Sequence, residues 1–157
     1  MGRHRFWVRV RGFTLLELAV ALVIIGILAA IAGTSYRAYF DRSEISQAIA
    51  DIQQIQGRIA LYSNEMGSPP MSLAEVGMDT LLDPWGNPYR YLNVNDPAPG
   101  TRGKRRKDHN LVPINSDYDL YSMGEDGRSV PPLTGGPSRD DIVRGRDGAF
   151  IGPATDY

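Results

Sequence analysis

The feature that most constrains this chain is one apolar run near its start. It opens with Phe13-Thr14-Leu15-Leu16-Glu17-Leu18 and closes at Ala32-Gly33. From residue 18 to residue 32 no polar side chain interrupts it. At about 1.5 Å per residue, residues 13–33 make a helix of roughly 31 Å, the thickness of a bilayer hydrocarbon core. Twelve residues precede the run, with four arginines (Arg3, Arg5, Arg9, Arg11) and no acid. Such a basic flank favours a cytoplasmic N-terminus, with the chain after the run on the far side. A chain built this way must bury that run in lipid or against other proteins.

Three readings of the segment compete. A secretory signal would be cut near Ala30-Ile31-Ala32, where small residues flank a larger one, releasing a soluble secreted binding protein. A plain signal anchor would be retained. Both leave Glu17 unexplained, because a carboxylate in apolar surroundings is costly and needs a partner.

The third reading comes from a resemblance. Arg11-Gly12-Phe13-Thr14-Leu15-Leu16-Glu17-Leu18 resembles the signal of type IV pilins and type II secretion pseudopilins. The resemblance implies that a prepilin peptidase cuts between Gly12 and Phe13. Phe13 is then N-methylated, and Glu17 is kept for assembly. Residues 1–12 are then a cleaved basic leader, 13–35 a transmembrane and filament-core helix, and 36–157 a periplasmic globular domain. In a filament core, the carboxylate of one subunit can pair with the new amine of another, so that each buried charge gains a partner. One departure stands out. Many members carry a proline late in this helix, and this chain has Ala32-Gly33-Thr34-Ser35 there. Glycine breaks a helix by about 1 kcal/mol, against about 3 for proline.

Beyond the run, Ile45, Ile49, Ile52, Ile55, Ile59 and Tyr62 recur at steps of three and four, which predicts one apolar helical face. Asn64-Glu65-Met66-Gly67-Ser68-Pro69-Pro70 ends that helix. Ser72-Leu73-Ala74-Glu75 reads as a short capped helix. A turn at Asp83-Pro84-Trp85-Gly86-Asn87-Pro88 leads into a strand at Tyr89-Arg90-Tyr91-Leu92. Asp117-Tyr118-Asp119-Leu120-Tyr121-Ser122 reads as a second strand and Gly148-Ala149-Phe150-Ile151 as a short third. The fold class is α+β, with a long N-terminal helix packed on a small antiparallel sheet. The tyrosines of the strands (Tyr89, Tyr91, Tyr118, Tyr121) are expected to pack.

The turn and the Tyr118-to-Gly127 stretch resemble the major pseudopilins of type II secretion systems. Residues 93–116 and 128–139 depart from that pattern by being extended. This resemblance implies a structural filament subunit that drives protein export and does no covalent chemistry. Its implied partners are further copies of itself, the prepilin peptidase, minor pseudopilins, an inner-membrane assembly platform and membrane lipid before assembly. A type IV pilin or pilin-like subunit for adhesion, motility or DNA uptake shares the N-terminal pattern and stays open. No nucleophile elbow, phosphate loop or zinc spacing is present in the sequence.

The chain has no cysteine, so no disulfide can close its C-terminal end. That end carries Glu125, Asp126, Asp140, Asp141 and Asp147. Calcium takes six to eight oxygens from carboxylates and carbonyls. The resemblance implies a structural calcium ion held by Asp126, Asp140, Asp141 and the carbonyls of Met123 and Arg128. The bland alternative is a set of solvated loop acids near Arg139, Arg144 and Arg146. The basic run Arg102-Gly103-Lys104-Arg105-Arg106-Lys107 reads as a solvated loop. Nucleic acid is not expected, since no aromatic residue interleaves with it. The precursor has 17 Lys+Arg and 18 Asp+Glu, and loss of the leader leaves 13 cations, a net −5.

Overall fold

A computed structural model of the chain describes residues 12–109 and 112–157, without the side chains of 32–38 and 112. The basic leader, residues 1–11, lies outside the described residues. So do the side chains at the Gly33-Thr34-Ser35 junction. The chain divides into two compact units, with the boundary between Phe40 and Asp41. Helix α1 (Leu15–Met66) contributes to both and continues through Gly33.

In the first unit α1 is apolar and exposed. Leu15, Leu16, Leu22, Val23, Ile25, Leu28 and Ile31 are all more than 60% exposed. Among the described residues no helix is long and apolar enough to cross a membrane. The expected span, residues 13–35, is helical from Leu15, but the described apolar side chains stop at Ile31.

The second unit is a sheet covered on both faces. Four strands run antiparallel in the order β1 (Arg90–Asn93), β4 (Tyr118–Ser122), β5 (Ile142–Gly145), β6 (Phe150–Pro153). Between β1 and β4 lie a short helix α2 (Thr101–Lys104) and a two-stranded ribbon of β2 (Lys107–Asp108) with β3 (Val112–Pro113). Register pairs Tyr91 with Leu120, Tyr121 with Val143, and Arg144 with Ile151.

The isoleucine stripe of α1 does what its spacing predicts. Ile52, Ile55 and Ile59 are at most 1% exposed and pack with Ala48, Leu73, Tyr89, Tyr118, Leu120 and Ile142. Each such side chain contributes about 1.5–3 kcal/mol through burial. Tyr118 and Leu120 face this cluster because side chains alternate along a strand. The odd face of the same strands carries Asp119, Tyr121 and Val143. There Ile114, Leu133, Val143 and Ala154 form a second cluster, joined by Tyr121, Phe150 and Tyr157.

Three points of the sequence reading need correction. The third strand is Phe150–Pro153, two residues later than expected. An unexpected strand, Ile142–Gly145, sits inside the sheet and is buried throughout. It contains Arg144, 3% exposed, and a strand with a central arginine reads from sequence as a surface segment. At Leu73–Val76 the short helix is a 3-10 turn. Ser72 makes no side-chain cap there, and Glu75 instead accepts the Met71 N–H at 3.1 Å and the Tyr62 hydroxyl at 2.6 Å.

Candidate functional site

The N-terminal end is built around Thr14 and Glu17. The Thr14 N–H donates to Glu17 Oε2 at 2.9 Å, and the Thr14 hydroxyl donates to the same oxygen at 2.9 Å. The Glu17 N–H donates back to Thr14 Oγ1 at 3.2 Å. This is a capping box: residue and partner three apart satisfy two backbone donors that a helix start otherwise leaves open. Thr14-x-x-Glu17 ahead of an apolar run is itself the sequence signal for it.

Gly12 and Phe13 precede the first helical residue, and both are exposed, Phe13 to 89%. Among the described residues, an added Cβ at Gly12 would meet nothing within 4 Å. Among the described residues nothing therefore makes a steric demand for glycine there.

At the C-terminal end Asp126, Arg128 and Asp140 of the five expected metal ligands are joined by hydrogen bonds, while Asp141 is engaged elsewhere. The Asp126 side chain accepts the Arg128 N–H at 2.7 Å, the bond of an Asx turn. Asp140 Oδ2 accepts the Asp126 N–H at 2.9 Å. The sulfur of Met123 accepts from Arg90 Nε at 3.3 Å. Asp141 is fully buried, and its Oδ2 meets the Arg106 guanidinium and the Ser129 hydroxyl, the latter at 2.7 Å. Burial pushes the Asp141 carboxyl up from the usual aspartate range, and Arg106 pulls it back. Among the described residues, no group of three or more His, Cys, Asp or Glu could hold a metal ion.

Arg106 is the residue that sequence reasoning missed. Within the run read as solvated it is 1% exposed. Arg105 is also drawn in, donating to the Val94 carbonyl. Arg102 and Lys104 stay exposed, as expected of the run. A second buried cation, Arg144, donates to both carboxylate oxygens of Asp117 at 2.8 and 2.7 Å. It also reaches Gln56 of α1 at 2.8 Å and lies 3.9 Å over the Tyr118 ring.

Residues 7–33 match the family described as Prokaryotic N-terminal methylation motif. Over 138 residues the chain is 35% identical to the type II secretion system core protein G of Pseudomonas aeruginosa, covering 74% of this chain and 84% of that protein. The chain belongs to the type II secretion system core protein G family. The core protein G of Klebsiella pneumoniae is 30% identical over 157 residues, covering 85% of this chain and 93% of that one. The fimbrial protein EcpC of Eikenella corrodens is 36% identical over 94 residues, but the match takes in only 59% of this chain and 58% of EcpC. Likeness to core protein G thus takes in more of both chains than likeness to the fimbrial protein does. No solved structure matches the chain. Within the core protein G family, Gly12, Phe13 and Glu17 of this chain all fall inside the matched methylation motif.

Proposed function

We propose that this chain is a structural subunit of a type II secretion pseudopilus, cut between Gly12 and Phe13 by prepilin peptidase and assembled into a periplasmic filament that drives protein export. The observation that carries the reading is the N-terminal arrangement. An exposed Gly12-Phe13 bond lies just outside a helix whose start is closed by Thr14 and Glu17. Among the described residues Gly12 answers no packing need, which agrees with a glycine kept for a processing enzyme.

The apolar part of α1 is the assembly element. Before assembly it lies in the inner membrane, a placement that rests on the apolar sequence of residues 13–33. Lipid is as apolar as leucine, so transfer of the helix from bilayer to filament core gains little from hydrophobicity, and packing and polar pairing decide the outcome. Glu17 is the single charged residue between positions 13 and 33. Cleavage creates an amine at Phe13, and Glu17 of a neighbouring subunit supplies its counter-charge. The globular unit, with the C-terminal domain in the periplasm, contacts further copies, minor pseudopilins and the inner-membrane assembly platform. The role is structural, and the covalent steps belong to the processing enzyme.

The mature N-terminus tests this reading. Mass spectrometry of the chain recovered from membranes should give N-methylated Phe13 as the first residue. A chain beginning at Gly33, or one retaining residues 1–12 in a strain with active peptidase, would refute it.

A further inference from the structure

We propose that the Arg106 guanidinium is the internal cation of the C-terminal loop, so that this chain closes residues 123–141 with an arginine where its family resemblance implies calcium. The inference rests on membership of the core protein G family and not on filament assembly.

The first observation is what Arg106 joins. Its Nη1 donates to the Ser129 hydroxyl at 2.5 Å and to the Val130 carbonyl at 2.6 Å. Its Nη2 meets Asp141 Oδ2. Its guanidinium carbon stands 4.3 Å from the centre of the Tyr121 ring, and its backbone N–H donates to buried Asp119 at 2.7 Å. One buried positive charge therefore ties together the basic loop, β4, the loop after β4 and the start of β5. A metal clip would do the same, holding distant segments by one charge and removing the entropy of an open loop.

The second observation is where the two extended stretches go. Residues 93–116 and 128–139 are the segments that depart from the family pattern, and they bind each other at Arg106 and Lys107. The Lys107 N–H donates to the Pro131 carbonyl at 2.9 Å, and the Leu133 N–H donates to the Lys107 carbonyl at 3.0 Å. The Arg106 carbonyl accepts the Ile114 N–H at 3.1 Å. The extension that makes the acidic loop long is matched by the extension that delivers its cation.

The third observation concerns the acids. Asp141 Oδ2 serves Arg106 and Ser129, and Asp140 Oδ2 serves the Asp126 N–H. Two buried atoms stay without a hydrogen bond here, Asp141 Oδ1 and Arg106 Nε. They are the remaining acceptor and the remaining donor of the same ion pair, because Nε and Nη2 form one edge of the guanidinium fork. A divalent ion placed on Oδ1 would sit beside a like charge in a medium that screens poorly. The residues present therefore suit an arginine better than calcium.

Full-length chain in detergent micelles is the material for the test. The melting temperature of the wild type should be the same in calcium and in chelator, and calorimetric titration with calcium should give no binding heat. Arg106→Met, which keeps the stem and removes the charge, should lower the melting temperature by roughly 10 °C in both conditions. Where that variant fails to fold, Arg106→Lys should fold with a smaller drop, again independent of calcium, because it keeps the charge and loses the fork. Stoichiometric calcium binding by the wild type, a calcium-dependent rise in its melting temperature, or unchanged stability of Arg106→Met would overturn the proposal. None of these results bears on where the N-terminus is cut, so this proposal and the assembly reading fail separately.

Discussion

Replacing Arg144 by alanine should cost about 4 kcal/mol, and the figure can be built from its surroundings. Asp117, its ion-pair partner, has a side chain 31% exposed, so water replaces much of what the pair gives and the loss there is about 1 kcal/mol. The Tyr118 carbonyl, which Arg144 meets at 3.0 Å in a buried setting, loses a donor at a cost of about 1 kcal/mol. The stacking on Tyr118 contributes about 1 kcal/mol. Removing buried methylenes of the stem adds about 1–2 kcal/mol. Asn115 Oδ1 limits the damage, since it keeps the Asp147 N–H at 3.0 Å. In a chain of this size the loss corresponds to a melting temperature lower by roughly 10 °C. The assay is urea unfolding of a chain starting at Phe13, followed by the fluorescence of Trp85, which packs on the α1 cluster. Arg144→Lys should lose about half as much, and Asp117→Asn about 1 kcal/mol. A loss under 1 kcal/mol for Arg144→Ala, or an Asp117→Asn loss as large as that of Arg144→Ala, would refute the ranking.

Three further outcomes are expected. Gly124→Ala should destabilise by about 3 kcal/mol, because φ is +62° and the new Cβ would stand 2.3 Å from the Asp140 carbonyl oxygen; Gly127→Ala, facing only the Asn87 side chain at 3.0 Å, should lose visibly less in the same melt. Asp147 accepts the Ser116 N–H and hydroxyl at 2.6 and 2.8 Å, and the N–H bond above all holds its carboxyl below the ordinary value of 3.8. Its stabilisation is therefore complete above pH 3.8 and fades as pH falls through the lower folded value; the urea midpoints of wild type and Asp147→Asn should differ near neutrality and converge in acid, and a constant gap would contradict this. Glu17→Gln preserves an oxygen for the Thr14 N–H but removes the charge; it should be cleaved normally and still fail to form filaments visible by electron microscopy, and wild-type filament yield would show that the charge is dispensable.

The parts of this fold that depend on local pattern were legible in the residues. Isoleucines at helical spacing put Ile52, Ile55 and Ile59 in the core, and alternating tyrosines placed β1 and β4. Thr14-x-x-Glu17 was equally readable as a capping box, though the cost of an acid in an apolar run draws attention first to a distant partner. Strand β5 was not legible, because Arg144 is buried only by virtue of Gln56 from α1 and Asp117 and Tyr118 at the start of β4. Arg106 was obscured in the same way. Among five cations in six residues, nothing local says which one will be met by Ser129, Val130 and Asp141, all more than twenty residues further on. Burial of a charge is a property of its partners, and those are assembled by the fold.

The capping box also bears on what the proposed removal of the leader would ask of α1. The bond that is cut lies upstream of Thr14, and the helix start is already closed by groups downstream of the cut. Cleavage therefore asks for no refolding of α1. In that reading the peptide link before Phe13 gives way to a cation four residues ahead of the Glu17 carboxylate, which is already in place. On the proposed reading the start of α1 is shaped before its leader is removed, and assembly waits on the new positive charge at its end.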